Sequence, residues 1–437
     1  MDVSSHNFFP VPECCLTSET GLPTISNDTA SKKEKIMSAI SRRNILRGAA
    51  LMAGAATLNA SEDDDSPSSK KPILAYVGAY TPNSQGIYLF SLDPSSGSFT
   101  QVKLAAAVRS PSFLALHPQG RYLYAVNEIS NFNGTTSGSV SAFSINRVNG
   151  DLTLLNVVSS EGGGPAHLSV DPQGQFVFVA NYGGGSIAML PIGMDGSLQP
   201  ASDVHQDTGS LGPTKAASAP PGSFAISGHD APHAHMIQAD HAGNFVLHTD
   251  LGQDRIYSWK INRAARKLVP AATPFITVPP GDGPRHFAFH PNGVWLYSLQ
   301  EEGSTLIFHT YSPDTGALVD KQQLSTLPDG FVGTNFTSEV SVSADGRFVY
   351  AANRLHDTIA IFSVDRTSGQ LSYVGEASTL GDYPRSFTID PTGSILLSCN
   401  QRSDAITSFR LRGGGSKLDF TGKYVPVGSP AHIVFLT

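Results

Sequence analysis

Asp, Glu, Lys and Arg make up only 15% of this 437-residue chain, so ionisable residues that recur at matched places carry weight. Four stand out: His235, Arg285, Glu301 and Arg354. Histidine can take a proton from water near neutral pH, and a carboxylate can do so when its surroundings allow. Arginine can hold a developing oxyanion, or grip a carboxylate or phosphate through paired hydrogen bonds. Buried Arg and Glu are costly unless paired, so this quartet is hard to account for as packing alone. Glu128, His167, Asp250, His286, Glu339 and Arg385 fall at related places and are candidates for contacting a substrate. Simpler roles are open for several. His167 and His432 could hydrogen-bond neighbouring elements, and Asp250 could cap the Asp-Leu-Gly turn. Glu128 could pair with a backbone amide, and Arg385 could form a rim salt bridge. His and carboxylates also bind Zn or Ca. No compact metal-ligand spacing is present, however, and no metal or cofactor is expected.

Residues so far apart need a repeating scaffold to gather them. One segment recurs: a few alternating apolar residues, a Gly turn, a second apolar run and a polar pair. It appears as SFLALHPQGRYLYAVNE (112–128), HLSVDPQGQFVFVANY (167–182) and HMIQADHAGNFVLHTD (235–250). It returns as HFAFHPNGVWLYSLQE (286–301), EVSVSADGRFVYAANR (339–354) and SFTIDPTGSILLSCNQ (386–401). The turn glycines, from Gly120 to Gly393, recur about every 50 residues, with one longer gap between Gly174 and Gly243. Third strands follow, such as Ser139–Ile145, Asp254–Ile261 and Thr358–Val364. Four short strands per unit at this period predict an all-β fold of four-stranded antiparallel propeller blades. A seventh copy is split: 431–435 matches the first strand and 73–78 the second. Pairing the two ends in one blade closes a seven-bladed ring and leaves no long edge exposed.

In such a blade the first strand runs along the central channel and the second returns antiparallel, so the residues opening one and closing the other share a face. The opening column reads Phe113, His167, His235, His286, Glu339, Ser386 and His432, with Arg285 and Arg385 just before it. The closing column reads Glu128, Tyr182, Asp250, Glu301, Arg354 and Gln401. Together they place a dense ionisable set at one mouth of the channel.

Residues 73–437 are therefore expected to form a single domain, with a Pro/Ala/Ser-rich insertion at 201–232 acting as a lid or a passive loop. The 42 Gly and 29 Pro suit a fold with many tight turns. A net charge of −7 implies no nucleic-acid partner. Near the start, Ser41-Arg42-Arg43-Asn44-Ile45-Leu46 leads into a short Gly/Ala-rich apolar run ending at Leu58-Asn59-Ala60. This resembles a twin-arginine export signal, too short to be a stable membrane span. Residues 1–60 are thus read as an N-terminal extension plus signal peptide, with Met37 a sensible start, and 61–72 as a flexible leader. Export to the periplasm or outside the cell by the twin-arginine machinery is expected. Loss of Cys14 and Cys15 with the signal would leave Cys399 alone, so no intrachain disulfide is expected. A monomer is expected.

Pro232-His233-Ala234-His235, Gly283-Pro284-Arg285-His286, Glu301 and Ala352-Asn353-Arg354 resemble the lactonase seven-bladed propeller family. This is the family of bacterial 6-phosphogluconolactonase and fungal carboxymuconate lactonising enzyme. The resemblance runs from Ile73 to Thr437 and rests on the order and phase of the motifs. It implies an active site of one His, two Arg and a Glu at a channel mouth, here His235, Arg285, Glu301 and Arg354. Ser341 and Leu355 depart from the family pattern, which has His and Gly at those places. The resemblance implies hydrolysis of a sugar-acid lactone, with His235 or Glu301 as base and the arginines holding the oxyanion. A muconate-type cyclisation, and an exported propeller that binds a ligand or partner protein without catalysis, are the alternatives.

Overall fold

The computed structural model describes residues 71–225 and 228–437. The expected export signal, Cys14, Cys15 and most of the expected leader lie outside the described residues.

Alternating apolar runs broken by Gly turns give 28 strands in seven four-stranded sheets. The chain enters on Ile73–Ala79 (β1), Gly86–Asp93 (β2) and Ser98–Ala107 (β3). The next sheet is Phe113–Leu116 (β4), Tyr122–Asn127 (β5), Ser139–Asn146 (β6) and Asp151–Ser159 (β7). Then come Pro165–Val170 (β8), Phe176–Asn181 (β9), Ser186–Pro191 (β10) and Asp203–Gln206 (β11). The fourth sheet is Ala234–Ala239 (β12), Phe245–Asp250 (β13), Arg255–Asn262 (β14) and Lys267–Thr277 (β15). The fifth is Pro284–Phe289 (β16), Trp295–Gln300 (β17), Thr305–Tyr311 (β18) and Leu318–Ser325 (β19). The sixth is Thr337–Val342 (β20), Phe348–Asn353 (β21), Thr358–Val364 (β22) and Leu371–Ser378 (β23). The last complete set is Pro384–Ile389 (β24), Ile395–Asn400 (β25), Ala405–Arg412 (β26) and Lys417–Pro426 (β27). Pro430–Phe435 (β28) returns to pair with β1, Tyr76 opposite Val434. The split blade and ring closure are as the repeat implied.

Each sheet buries its faces against its two neighbours, so the core is distributed rather than central. Every one of the seven blade interfaces has its own apolar cluster. One kind of polar tie recurs at four of these interfaces. The hydroxyls of Tyr76, Tyr124, Tyr297 and Tyr350, on second strands, donate to the carbonyls of Gly150, Gly196, Gly369 and Gly415 in the next blade.

Two readings shift. β11 falls inside the expected insertion and is the outer strand of its blade, so the extra segment is 207–233. The polar sequence of β11 hides a strand whose Asp203 carboxylate accepts the Leu268 amide and pairs with Lys267 of the next blade. The extra segment itself runs across loops of the following blades. Ala217 N–H donates to the Pro280 carbonyl, Ser218 N–H to Asp282, and Gly333 N–H to the Pro221 carbonyl.

Candidate active site

The inner strands do not start in a plain ladder. In six blades the register slips at their opening, leaving one extra residue on the inner strand. A bulge of this kind re-aims a side chain. On β12, Ala234 pairs with Asp250 and Met236 with Thr249, so His235 is the extra residue. On β16 it is Arg285, and on β24 it is Arg385.

Three rings of side chains result. The innermost is a collar of Phe113, His167, Met236, His286, Glu339, Ser386 and His432. Phe113 stacks on His432 with ring centroids 3.7 Å apart and lies 4.1 Å from His167. Below the collar a channel of about 730 Å³ opens toward the Gly turns. Above it the bulged residues His235, Arg285 and Arg385, with Ser112, Ala166 and Ala431, wall a narrow pocket floored by Phe113, His286, Glu339 and Ser386. The third ring closes the second strands: Tyr80, Glu128, Tyr182, Leu251, Glu301, Arg354 and Gln401. One hydrogen bond defines it in all seven blades. The backbone N–H of each donates to the loop carbonyl before the inner strand, from Tyr80 to Ser429 through Gln401 to Tyr383.

This register corrects two sequence assignments. Met236, not His235, is the counterpart of His167 and His286. Leu251, not Asp250, is the counterpart of Glu301. Asp250 instead takes the place of Asn127, Asn181, Gln300, Asn353 and Asn400, and lies fully buried beside Asp207, away from the pocket. Burial, and then the Asp207 charge, raises its carboxyl to about 8. The other site candidates come together. Glu301 forms ion pairs with both arginines, Oε2 lying 3.0 Å from Arg285 Nε and Oε1 2.7 Å from Arg354 Nη2. Arg285 Nη1 also donates to the Ser338 carbonyl. Arg354 donates to the Thr337 carbonyl and the Tyr383 hydroxyl, both at 3.1 Å. Arg385 lies 3.5 Å from Glu128, whose Oε2 accepts the Tyr80 hydroxyl at 2.6 Å. His286 Nδ1 and Glu339 Oε1 are 3.1 Å apart. His167 and His432 use Nδ1 to accept the amides of Ile237 and Leu114 on the next inner strands, each at 3.4 Å.

The electrostatics follow from burial. Burial and the Arg285 charge hold His235 well below its usual range, so its imidazole is neutral. His235 Nδ1 is buried and makes no hydrogen bond, and its ring lies 5.0 Å from that of His286. Burial alone would raise Glu301, but Arg354 and Arg285 outweigh it and keep the carboxylate ionised. Burial, and then Arg354, lowers Arg285 to about 10, which leaves it charged at neutral pH. Burial lifts Glu339 to about 7 against the pull of His432 and Arg285. Among the described residues, no group of three or more His, Cys, Asp or Glu is arranged to hold a metal ion.

Tyr80, Tyr383 and His233 were missed in the sequence. Tyr80 follows the split second strand directly, so extending the closing column through that copy reaches it. His233 stacks on Tyr182 at 4.3 Å and ends the extra segment; no repeat position marks it.

The family profile described as Lactonase, 7-bladed beta-propeller matches residues 74–435. The chain belongs to that family. A 6-phosphogluconolactonase of Bacillus subtilis is 34% identical over 364 residues, covering 83% of this chain and 98% of the relative. One of Formosa agariphila is 32% identical, covering 77% and 91%. The solved structure of the Pseudomonas aeruginosa periplasmic gluconolactonase PpgL has a TM-score of 0.76 at 30% identity, covering 84% of this chain and 99% of that one. The ring of seven blades thus belongs to a lactonase. Among the described residues no helix is long and apolar enough to cross a membrane.

Proposed function

We propose that this lactonase hydrolyses the ester bond of a sugar-acid lactone in the pocket walled by His235, Arg285 and Arg385, with Glu301 and Arg354 beside it. The observation that carries the reading is the Arg285–Glu301–Arg354 clamp. Two guanidiniums held by one ionised carboxylate are fixed cations beside a pocket, suited to a developing oxyanion or a substrate anion. Glu301, with an arginine on each oxygen, is suited to orienting them rather than to taking a proton. Neutral His235 is suited to hydrogen-bonding a substrate hydroxyl or ring oxygen. The relatives named for phosphogluconolactone or gluconolactone support a six-carbon aldonolactone. A panel of aldonolactones with and without a 6-phosphate, assayed on the purified chain, tests this. Turnover of one or more supports the reading, and turnover of none sinks it.

Export through Arg42-Arg43 is a separate proposal resting on the sequence. Replacing both with Lys should retain in the cytoplasm a protein otherwise found outside it.

A further inference from the structure

Four carboxylates were among the candidate site residues, and three are committed. Glu301 carries an arginine on each oxygen. Glu128 holds Arg385 and the Tyr80 hydroxyl. Asp250 faces Asp207 outside the ring. Glu339 is different. It forms part of the pocket floor with His286, below the bulged His235, Arg285 and Arg385. Its Oε1 accepts its neighbour's amide, Val340 N–H, at 3.1 Å and faces His286 Nδ1 at 3.1 Å. Its Oε2 makes no hydrogen bond to the described residues. It also borders the channel below the collar, a second approach for water.

Resting on the lactonase reading above, we propose that Glu339 is the general base that takes a proton from the attacking water, with His286 holding it in place. Water between Oε2 and the lactone carbonyl loses a proton to Glu339 as its oxygen bonds to the carbonyl carbon. The carbonyl π pair moves onto oxygen, where the guanidinium of Arg285 stabilises it. Collapse of this oxyanion breaks the ring C–O bond, and the proton on Glu339 passes to the departing ring oxygen. The product is the open hydroxy acid and Glu339 is restored as carboxylate, so atoms and charge balance without a further reactant. His235 is a poorer base. An imidazolium there would face Arg285 and Arg385, which oppose its formation.

The groups facing Glu339 set its titration. Arg285 and His286 approach from β16, Arg385 from β24, Cys399 from β25 and His432 from β28. Burial dominates and places its carboxyl at about 7, matched to proton transfer near neutral pH.

The test uses Glu339→Gln and Glu339→Asp in the full chain, with δ-gluconolactone and its 6-phosphate as probes and spontaneous hydrolysis subtracted. Wild-type kcat/KM should rise with pH through an inflection near 7. Glu339→Gln, which keeps the shape and the acceptor for Val340, should lose about 10²–10⁴-fold in kcat with KM little changed, and lose the inflection. Glu339→Asp should lower kcat yet keep an inflection, and it carries the test alone if the Gln variant fails to fold. Wild-type kcat in either variant overturns the proposal, as does an unchanged inflection in Glu339→Gln. An inactive wild type instead overturns the lactonase site reading.

Discussion

Arg285 and Glu301 meet at 3.0 Å across a single blade, one as the bulged residue of its inner strand and the other as the residue closing its second strand. The bulge creates this contact, because a regular ladder would not leave Arg285 as the extra residue above the collar. Arg285→Ala should lower kcat/KM for an aldonolactone by about 10²–10³-fold, the usual cost of losing one oxyanion donor. Arg285→Lys should recover little, since an ammonium cannot reach Glu301 and the Ser338 carbonyl through a planar fork. Steady-state kinetics on both variants check this, and near-wild-type activity in Arg285→Ala would refute it.

Glu301→Gln removes the charge that both arginines share. Arg354 already opposes the charge on Arg285, so the two guanidiniums would face each other uncompensated in a buried wall. Breaking one partner out of a buried pair typically costs about 3–5 kcal/mol. The variant should therefore unfold at clearly lower denaturant and also lose turnover. Unchanged stability would show that the clamp is not under electrostatic tension.

Asp250 sits where five of the other blades carry Asn or Gln, and this gives a pH prediction. Its folded-state pKa of about 8 lies above the usual carboxylate value, so the folded protein binds a proton that the unfolded chain releases. The resulting stability is complete below about pH 4 and is lost as pH rises through 8. Above that, the Asp250 charge is buried beside the Asp207 carboxylate. Asp250→Asn should raise the melting temperature at pH 8.5 and change it little at pH 5, with turnover retained. A larger gain at pH 5 would contradict the assignment.

How far the sequence could be read depends on what a bulge hides. The seven blades, the split seventh copy and the gathering of distant ionisable residues were legible, because alternation and turn glycines survive in the pattern. The phase of single residues was not. A bulge adds one residue without changing composition, so His235 passed for the counterpart of His167 and Asp250 for that of Glu301. The true counterparts, Met236 and Leu251, are apolar and drew no notice. Glu339 was legible as a position but not as the carboxylate left uncommitted, since that depends on which neighbours Arg285, Arg354 and Arg385 choose. β11 was lost in a Pro/Ser-rich stretch whose pairing with β10 only the sheet reveals.

His229 fastens the extra segment beside the pocket. Its ring is buried between Asp254, 3.1 Å from Nε2, and Glu302, 3.5 Å from Nδ1. Burial alone would lower its pKa, but the hydrogen bonds its ring donates to these two carboxylates outweigh it and raise the imidazole to about 10. The latch should thus be at full strength below about pH 6.5 and be lost progressively as pH rises from there through 10. Four residues on, His233 lies on Tyr182, whose ring is 5.5 Å from that of His235. Releasing the latch should therefore loosen one wall of the pocket without touching the arginine clamp. His229→Gln cannot carry charge, and it removes the cation that offsets Asp254 beside buried Asp282. Limited proteolysis at pH 7 should cut within 207–233 at least several-fold faster in the variant. KM for the aldonolactone should rise with kcat nearly unchanged. Equal cleavage rates and equal KM would mean that the segment is held by its backbone contacts to Pro280 and Gly333 rather than by His229.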